Sequence, residues 1–317
     1  MAYTGSRLGR LLALACLLGG LLAGCGGATS AQGGDVSARK VRVTTTVGMI
    51  GDIVRNIGGE RVEVTALMGP GVDPHLYKPS ARDVNKLGDA DIIFYGGLEL
   101  EGRMTDLFGK LARNGRPTFA VSENIDRSRL RAPKEFEGKF DPHIWFDVTL
   151  WQEAARTVAA ELARLDPGST ALYQRNADAY LEQLEELHQY VKARIASLPE
   201  SSRVLITAHD AFGYFGAQYG FEVRGLQGTS TAAEAGAGDV QDLAQFIAER
   251  KIKAIFVESS VPQATIEAVQ AAVRAKGWDV KIGGELFSDA MGADGTPEGT
   301  YIGMVRHNVD TIVGSLQ

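Results

Sequence analysis

Residues 170–199 read TALYQRNADAYLEQLEELHQYVKARIASLP. Within them Ala177, Tyr180, Leu181, Leu184, Leu187, Val191, Ile195 and Leu198 recur mainly at spacings of three and four, the period of one helix face. The stripe predicts a single helix of roughly 30 residues, about 45 Å long at 1.5 Å per residue. Pro199 closes it, because proline has no N–H to continue the ladder.

On both sides of this helix the pattern changes to short β-branched runs alternating with amphipathic stretches. Before it, strands are predicted at 41–46, 61–68, 91–95 and 117–121, with helices at 50–57, 81–87 and 104–112. Ser80 followed by Asp83 reads as a capping box. A further helix at 148–165 stops at Asp166-Pro167-Gly168. After the long helix, strands are predicted near 204–207, 222–226, 254–257 and 280–282, with helices near 211–219, 240–249, 264–276 and 300–316. Such alternation indicates parallel strands with helical crossovers. The expected fold is α/β, with two lobes, each a parallel sheet flanked by helices, joined by one long rigid backbone helix. The lobes are expected at 41–167 and 200–317, with the linking helix at 168–199. A ligand belongs in the cleft where the C-terminal strand ends of the two lobes face each other.

Composition agrees with a globular body: 44% of the 317 residues are apolar and 23% charged, which excludes a disordered, collagen-like or coiled-coil chain. The net charge of −6 and the lack of a basic run argue against nucleic acid. The only two cysteines are Cys16 and Cys25, so the body holds no disulfide, thiolate zinc site or cysteine nucleophile. Residues 1–24 have the parts of a secretory signal: Arg7 and Arg10, an apolar run from Leu11 to Leu22, then Ala23 and Gly24. That run is short of the roughly 20 residues that span a bilayer. Leu22-Ala23-Gly24-Cys25 resembles a lipobox, in which Cys25 takes the lipid, and residues 25–40 read as a flexible tether. Loss of Arg7 and Arg10 with the signal would take the charge from −6 to −8. The expected product is a lipid-anchored extracytoplasmic protein, on the outer face of the cell membrane or in the periplasm.

Histidine is scarce, with five in the chain, so each can be weighed. His75 lies in GPGVDPHLYKPS, His143 in FDPHIWFDV and His209 in TAHDAFGYF, each at a strand-to-helix junction, and Asp289 follows a strand in VKIGGELFSDA. One loop histidine is usually a surface hydrogen-bonding group. Three at equivalent junctions, two of them after Asp-Pro, point instead to a shared ligand. Neutral imidazole is the commonest metal ligand, and Pro74 and Pro142 fix the backbone beside it. Three imidazoles and one carboxylate suit a first-row divalent metal rather than calcium or magnesium. His188, beside Glu185 and Glu186, is expected on a solvated helix face, and His307 packed or hydrogen-bonded in the last helix. Asp73, Asp141, Asp210 and Glu258 are candidates to orient an imidazole, although turn formation explains Asp73 and Asp141 equally well.

At these residues the sequence resembles the metal-specific solute-binding proteins of ABC importers. The segments that carry the resemblance are MGPGVDPHLY, ADIIFYGGLELE, FDPHIWFDVTLW, TAHDAFGYF, GFEVRGLQGTSTAAEA, IFVESS and IGGELFSDAMG, spread over nearly all of 41–317. The resemblance implies two α/β lobes, one backbone helix and a single metal buried between the lobes, with His75, His143, His209 and Asp289 as ligands. It implies delivery of one manganese or zinc ion per chain to an ABC permease and its ATPase. Many members carry glutamate at the position of His209 and are mostly associated with manganese or iron, and zinc-specialised members often carry a long histidine-rich loop. Here the corresponding stretch, 131–140, is short and has no histidine. The choice between manganese and zinc stays open. A monomer is expected, since one site per chain needs no partner. The competing classes are a metallohydrolase using the same histidines and a surface adhesin. Catalytic zinc normally keeps three protein ligands and an open position, which four ligands and no identifiable general base do not match.

Overall fold

The structure, a computed structural model, describes residues 1–2, 36–136 and 138–317. The predicted signal, Cys25 and most of the tether lie outside the described residues. Four strands, β1 (Val41–Thr45), β2 (Val62–Ala66), β3 (Ile92–Tyr95) and β4 (Thr118–Ala120), form one parallel sheet in the order β2-β1-β3-β4. Their crossovers are α1 (Gly48–Gly58), α2 (Ala81–Asp89) and α3 (Thr105–Arg113). The capping box at the start of α2 is present: the Asp83 N–H donates to Ser80 Oγ at 3.3 Å and the Ser80 N–H to Asp83 Oδ2 at 3.0 Å. Then come α4 (Val148–Leu165) and α5 (Thr170–Ala196).

The second lobe is built from β5 (Val204–His209), α6 (Gly213–Tyr219), β6 (Glu222–Gln227), α7 (Ala237–Arg250), β7 (Ala254–Glu258), α8 (Ala264–Ala275), β8 (Lys281–Leu286) and α9 (Tyr301–Leu316). Its strands pair in parallel as two ladders, β5–β6 and β7–β8, with β5 and β7 packed side by side. Both lobes are therefore α/β with parallel pairing. Among the described residues no helix is long and apolar enough to cross a membrane.

The α5 helix is 27 residues long. Its stripe of Ala177, Tyr180, Leu184, Leu187, Val191 and Ile195 is buried against α1 and α4 of the first lobe and α9 of the second. One helix thus supplies apolar surface to both lobes, and the described residues from 36 onward form one compact unit. At its start Asp166 accepts from Arg61 Nε at 2.7 Å and from the Tyr173 hydroxyl at 2.9 Å, fixing the turn between α4 and α5. His188 departs from expectation. It is buried, with Nδ1 3.0 Å from the Tyr219 hydroxyl, because it stands four residues after Leu184 and three before Val191, on the apolar face. His307 is hydrogen-bonded as expected, its Nε2 lying 3.0 Å from the Glu285 carbonyl oxygen.

Leu184, with no exposed surface, sits at the middle of the shared stripe. Leu184→Ala should cost about 2–5 kcal/mol of unfolding free energy through lost burial and a residual cavity. Urea denaturation will read this as a lower midpoint at unchanged slope.

Candidate metal centre

The four candidate ligands arrive from four chain segments. His75 lies in the loop between β2 and α2, where Gly71 takes φ +71°. His143 follows Asp141-Pro142 and precedes a single 3-10 turn (Ile144–Phe146) that leads into α4. His209 is the last residue of β5, and Asp289 follows β8. Parallel strands carry their C-terminal ends to one edge, which brings His75, His209 and Asp289 together. His143 departs from the expected strand-to-helix junction, since a long loop after β4 carries it there.

They meet closely. One donor atom from each of His75, His143, His209 and Asp289 lies within 4.8 Å of every other. His143 Nε2 is 3.3 Å from Asp289 Oδ1, His209 Nε2 is 3.3 Å from Oδ2, and His75 Nε2 is 3.6 Å from Oδ2. The Nε2 atoms of His75 and His143 are 3.3 Å apart. Ligands about 2.1 Å from a central ion in a tetrahedron stand about 3.4 Å from each other, so this spacing is that of a coordination shell. All four side chains are at most 1% exposed.

The proton positions favour the same reading. His143 Nδ1 is 2.8 Å from Asp141 Oδ1, and His209 Nδ1 is 2.6 Å from Glu258 Oε2. A carboxylate only accepts, so each Nδ1 carries a hydrogen, and Nε2 is the ring atom left facing the centre, where loss of its proton would offer a lone pair to a metal. The backbone N–H groups of His143 and His209 donate to the same carboxylates, at 3.0 and 2.9 Å. His75 differs: its N–H donates to Asp73 Oδ1 at 2.8 Å, while its ring Nδ1 has no hydrogen-bond partner among the described residues.

Charge at the centre is unbalanced toward the acid side. Burial works to raise the Asp289 carboxyl, but His209 and His143 hold it well below the usual range. Burial works to lower His143, but Asp141 and Asp289 push it up to about 9. Glu258 and Asp289 likewise overcome burial to hold His209 well above its ordinary value. His75, with no carboxylate on its ring Nδ1, is pushed down to about 3 by burial. A buried cluster that draws positive charge onto its imidazoles is suited to a divalent cation in place of protons.

Of the residues weighed as orienting groups, Asp141 and Glu258 hold imidazoles and Asp73 holds a main-chain N–H. No hydrogen bond joins the Asp210 carboxylate to an imidazole among the described residues; its N–H donates to the Gln227 carbonyl at 3.1 Å. Sequence reading missed three contributors. Arg131 pairs with Asp141 at 2.7 Å. Trp145 Nε1 donates across the cleft to the Ser288 carbonyl at 3.0 Å, and the Tyr301 hydroxyl returns to the Trp145 carbonyl at 2.7 Å. Trp145 and Tyr301 act between segments distant in sequence, where spacing carries no signal, and Arg131 reaches Asp141 across a ten-residue loop with no regular period. The tryptophan stands two residues from a ligand, the one hint available.

Residues 43–315 match the model of the family described as ZnuA, the zinc-uptake complex component A, periplasmic. The chain is 55% identical over 277 residues to the zinc-binding protein TroA of Treponema pallidum, covering 87% of this chain and 89% of that one. It is 47% identical over 297 residues to the manganese-binding lipoprotein MntA of Bacillus subtilis, covering 93% and 95%. It is 32% identical over 316 residues to the metal ABC transporter substrate-binding lipoprotein FimA of Streptococcus parasanguinis, covering 98% and 99%. The solved structure of the Treponema pallidum periplasmic zinc-binding protein superposes with a TM-score of 0.86, covering 88% of this chain and 99% of that one. The chain belongs to this family of metal-binding, solute-binding proteins of ABC importers.

Gly225 tests how tightly the site edge is built. A methyl group there would collide with the main chain of His209 and Asp210 and with the Gln227 carbonyl. Gly225→Ala should cost about 1–3 kcal/mol as overpacking, read as a drop of several degrees in thermal midpoint.

Proposed function

We propose that this member of the zinc-uptake component A family captures one divalent transition-metal ion, manganese or zinc, in the interlobe cleft and delivers it to an ABC permease with its ATPase. His75, His143, His209 and Asp289 are the proposed ligands. The observation that carries the reading is that one buried donor atom from each lies within 4.8 Å of every other, with the three Nε2 atoms 3.3–3.6 Å from Asp289 oxygens. The ion is cargo, so a closed shell is an advantage: four protein donors exclude water and hold the metal against loss. Release then needs displacement of a ligand, through partial separation of the lobes or movement of a loop.

The reading also favours a carrier over an enzyme. A hydrolytic zinc keeps a position open for water and a base beside it. Here Asp141 and Glu258, the acids beside the imidazoles, are committed to His143 and His209. Relatives are named for zinc and for manganese, and a nitrogen-rich site binds zinc more tightly than manganese whichever is carried. The proposed protein is a monomer, anchored through lipid on Cys25 outside the cytoplasmic membrane.

Titration of the metal-free chain lacking residues 1–25 should show one ion per chain, with zinc tighter than manganese. Asp289→Ala should weaken both by more than about 100-fold, and Glu258→Gln by about 10–100-fold, since it orients a ligand without touching the metal. Absence of binding, or binding indifferent to Asp289, would remove the assignment. In cells, Cys25→Ala should move the chain from the membrane fraction to the soluble one, as detergent partition will register.

A further inference from the structure

The three imidazoles are not held alike. His143 is fixed through both ring and main chain by Asp141, itself neutralised by Arg131 at 2.7 Å. His209 is fixed twice by Glu258 and stands at the end of a strand. Away from the centre, where its Nε2 faces His143 and Asp289, His75 is held only by its main-chain bond to Asp73, on a loop, with the next residue, Leu76, 42% exposed. Whatever holds Asp73 therefore decides where the His75 ring stands.

Asp73 divides its carboxylate between the lobes. Oδ1 accepts the N–H groups of His75 at 2.8 Å and Leu76 at 3.4 Å, both in the first lobe. Oδ2 accepts the Thr231 hydroxyl at 2.6 Å. Thr231 is buried, in segment 228–236 between β6 and α7 of the second lobe. This segment begins where β6 leaves the ladder with His209, since Gln227 is the register partner of His209. A second contact presses the same loop onto the second lobe: a Cβ on Gly71 would stand 3.4 Å from the Ser259 carbonyl oxygen.

Building on the proposed metal-capture function, we infer that the Asp73–Thr231 hydrogen bond is a latch that keeps His75 on the metal and so sets the ion's residence time. With segment 228–236 seated, Asp73 is held from both lobes and the His75 loop cannot swing. When the segment lifts, Asp73 loses a charge-assisted bond, the His75 loop is released, and the least secured of the three imidazoles leaves the ion first. Thr231 and Asp73 are thus positioning residues that touch no metal.

Two quantities test the latch on the purified mature chain loaded with zinc or with manganese: the rate at which excess EDTA strips the ion, and the rate of metal uptake. Thr231→Val keeps the shape and deletes the hydroxyl. It should speed loss of the ion about tenfold or more, the effect of losing a bond to a charged group, and leave uptake within about threefold. Thr231→Ser restores the hydroxyl and should return release to within about twofold of wild type. In the metal-free chain, Thr231→Val should also accelerate hydrogen exchange at the His75 and Leu76 amides, a readout that needs no ion. Release from Thr231→Val at the wild-type rate, or failure of the serine to rescue it, overturns the latch while leaving the metal site in place. A wild-type chain that takes up no ion overturns both.

Discussion

Four polar side chains share one buried point, and most of the molecule follows from the need to keep them there. A carboxylate and three imidazoles taken out of water cost far more than any single packing contact returns, unless their charge and lone pairs are met. Two of the three candidate imidazoles are therefore braced by carboxylates. Asp141 holds His143 and is answered by Arg131, Glu258 holds His209, and Asp289 faces all three imidazoles at 3.3–3.6 Å. The remaining deficit of positive charge at the centre is what a divalent ion supplies.

The braces also tie the lobes together. Trp145, two residues from His143, donates to the carbonyl of Ser288, beside Asp289, and accepts on its own carbonyl from Tyr301. The Tyr214 hydroxyl of the second lobe donates to the Asp141 carbonyl at 2.9 Å, while the Arg131 N–H donates to that hydroxyl at 3.1 Å. Beneath them α5 offers one apolar face to helices of both lobes. A cleft spanned by such bonds and backed by one helix is suited to release its cargo through loops rather than through a wide swing of one lobe. Of the three imidazoles, the one on the most lightly held loop is His75.

Much of this was legible in the sequence because it rests on local periodicity. The stripe in α5, the bounds of α4 at 148–165, the capping box at Ser80 and the alternation of strands with helices in each half come from period and punctuation, which short segments carry by themselves. The candidate ligands were legible for a different reason. Histidine is rare here, and Asp-Pro-His twice before a helix is an uncommon local pattern. His188 was misread because its acidic neighbours suggested a wet face, although its spacing from Leu184 and Val191 already placed it inside.

The sequence by itself determined the α/β class, the long connecting helix and the identity of the four candidate ligands, since each depends on residues near one another in the chain. Only the tertiary structure decided that their donor atoms converge at coordination distance, that Arg131 stands behind Asp141, and that Thr231 reaches Asp73 from 158 residues away. The reason is physical: periodicity records which face of an element is buried, but not which buried face it meets. That choice belongs to the crossing of chain segments, and the candidate metal centre lies where they cross.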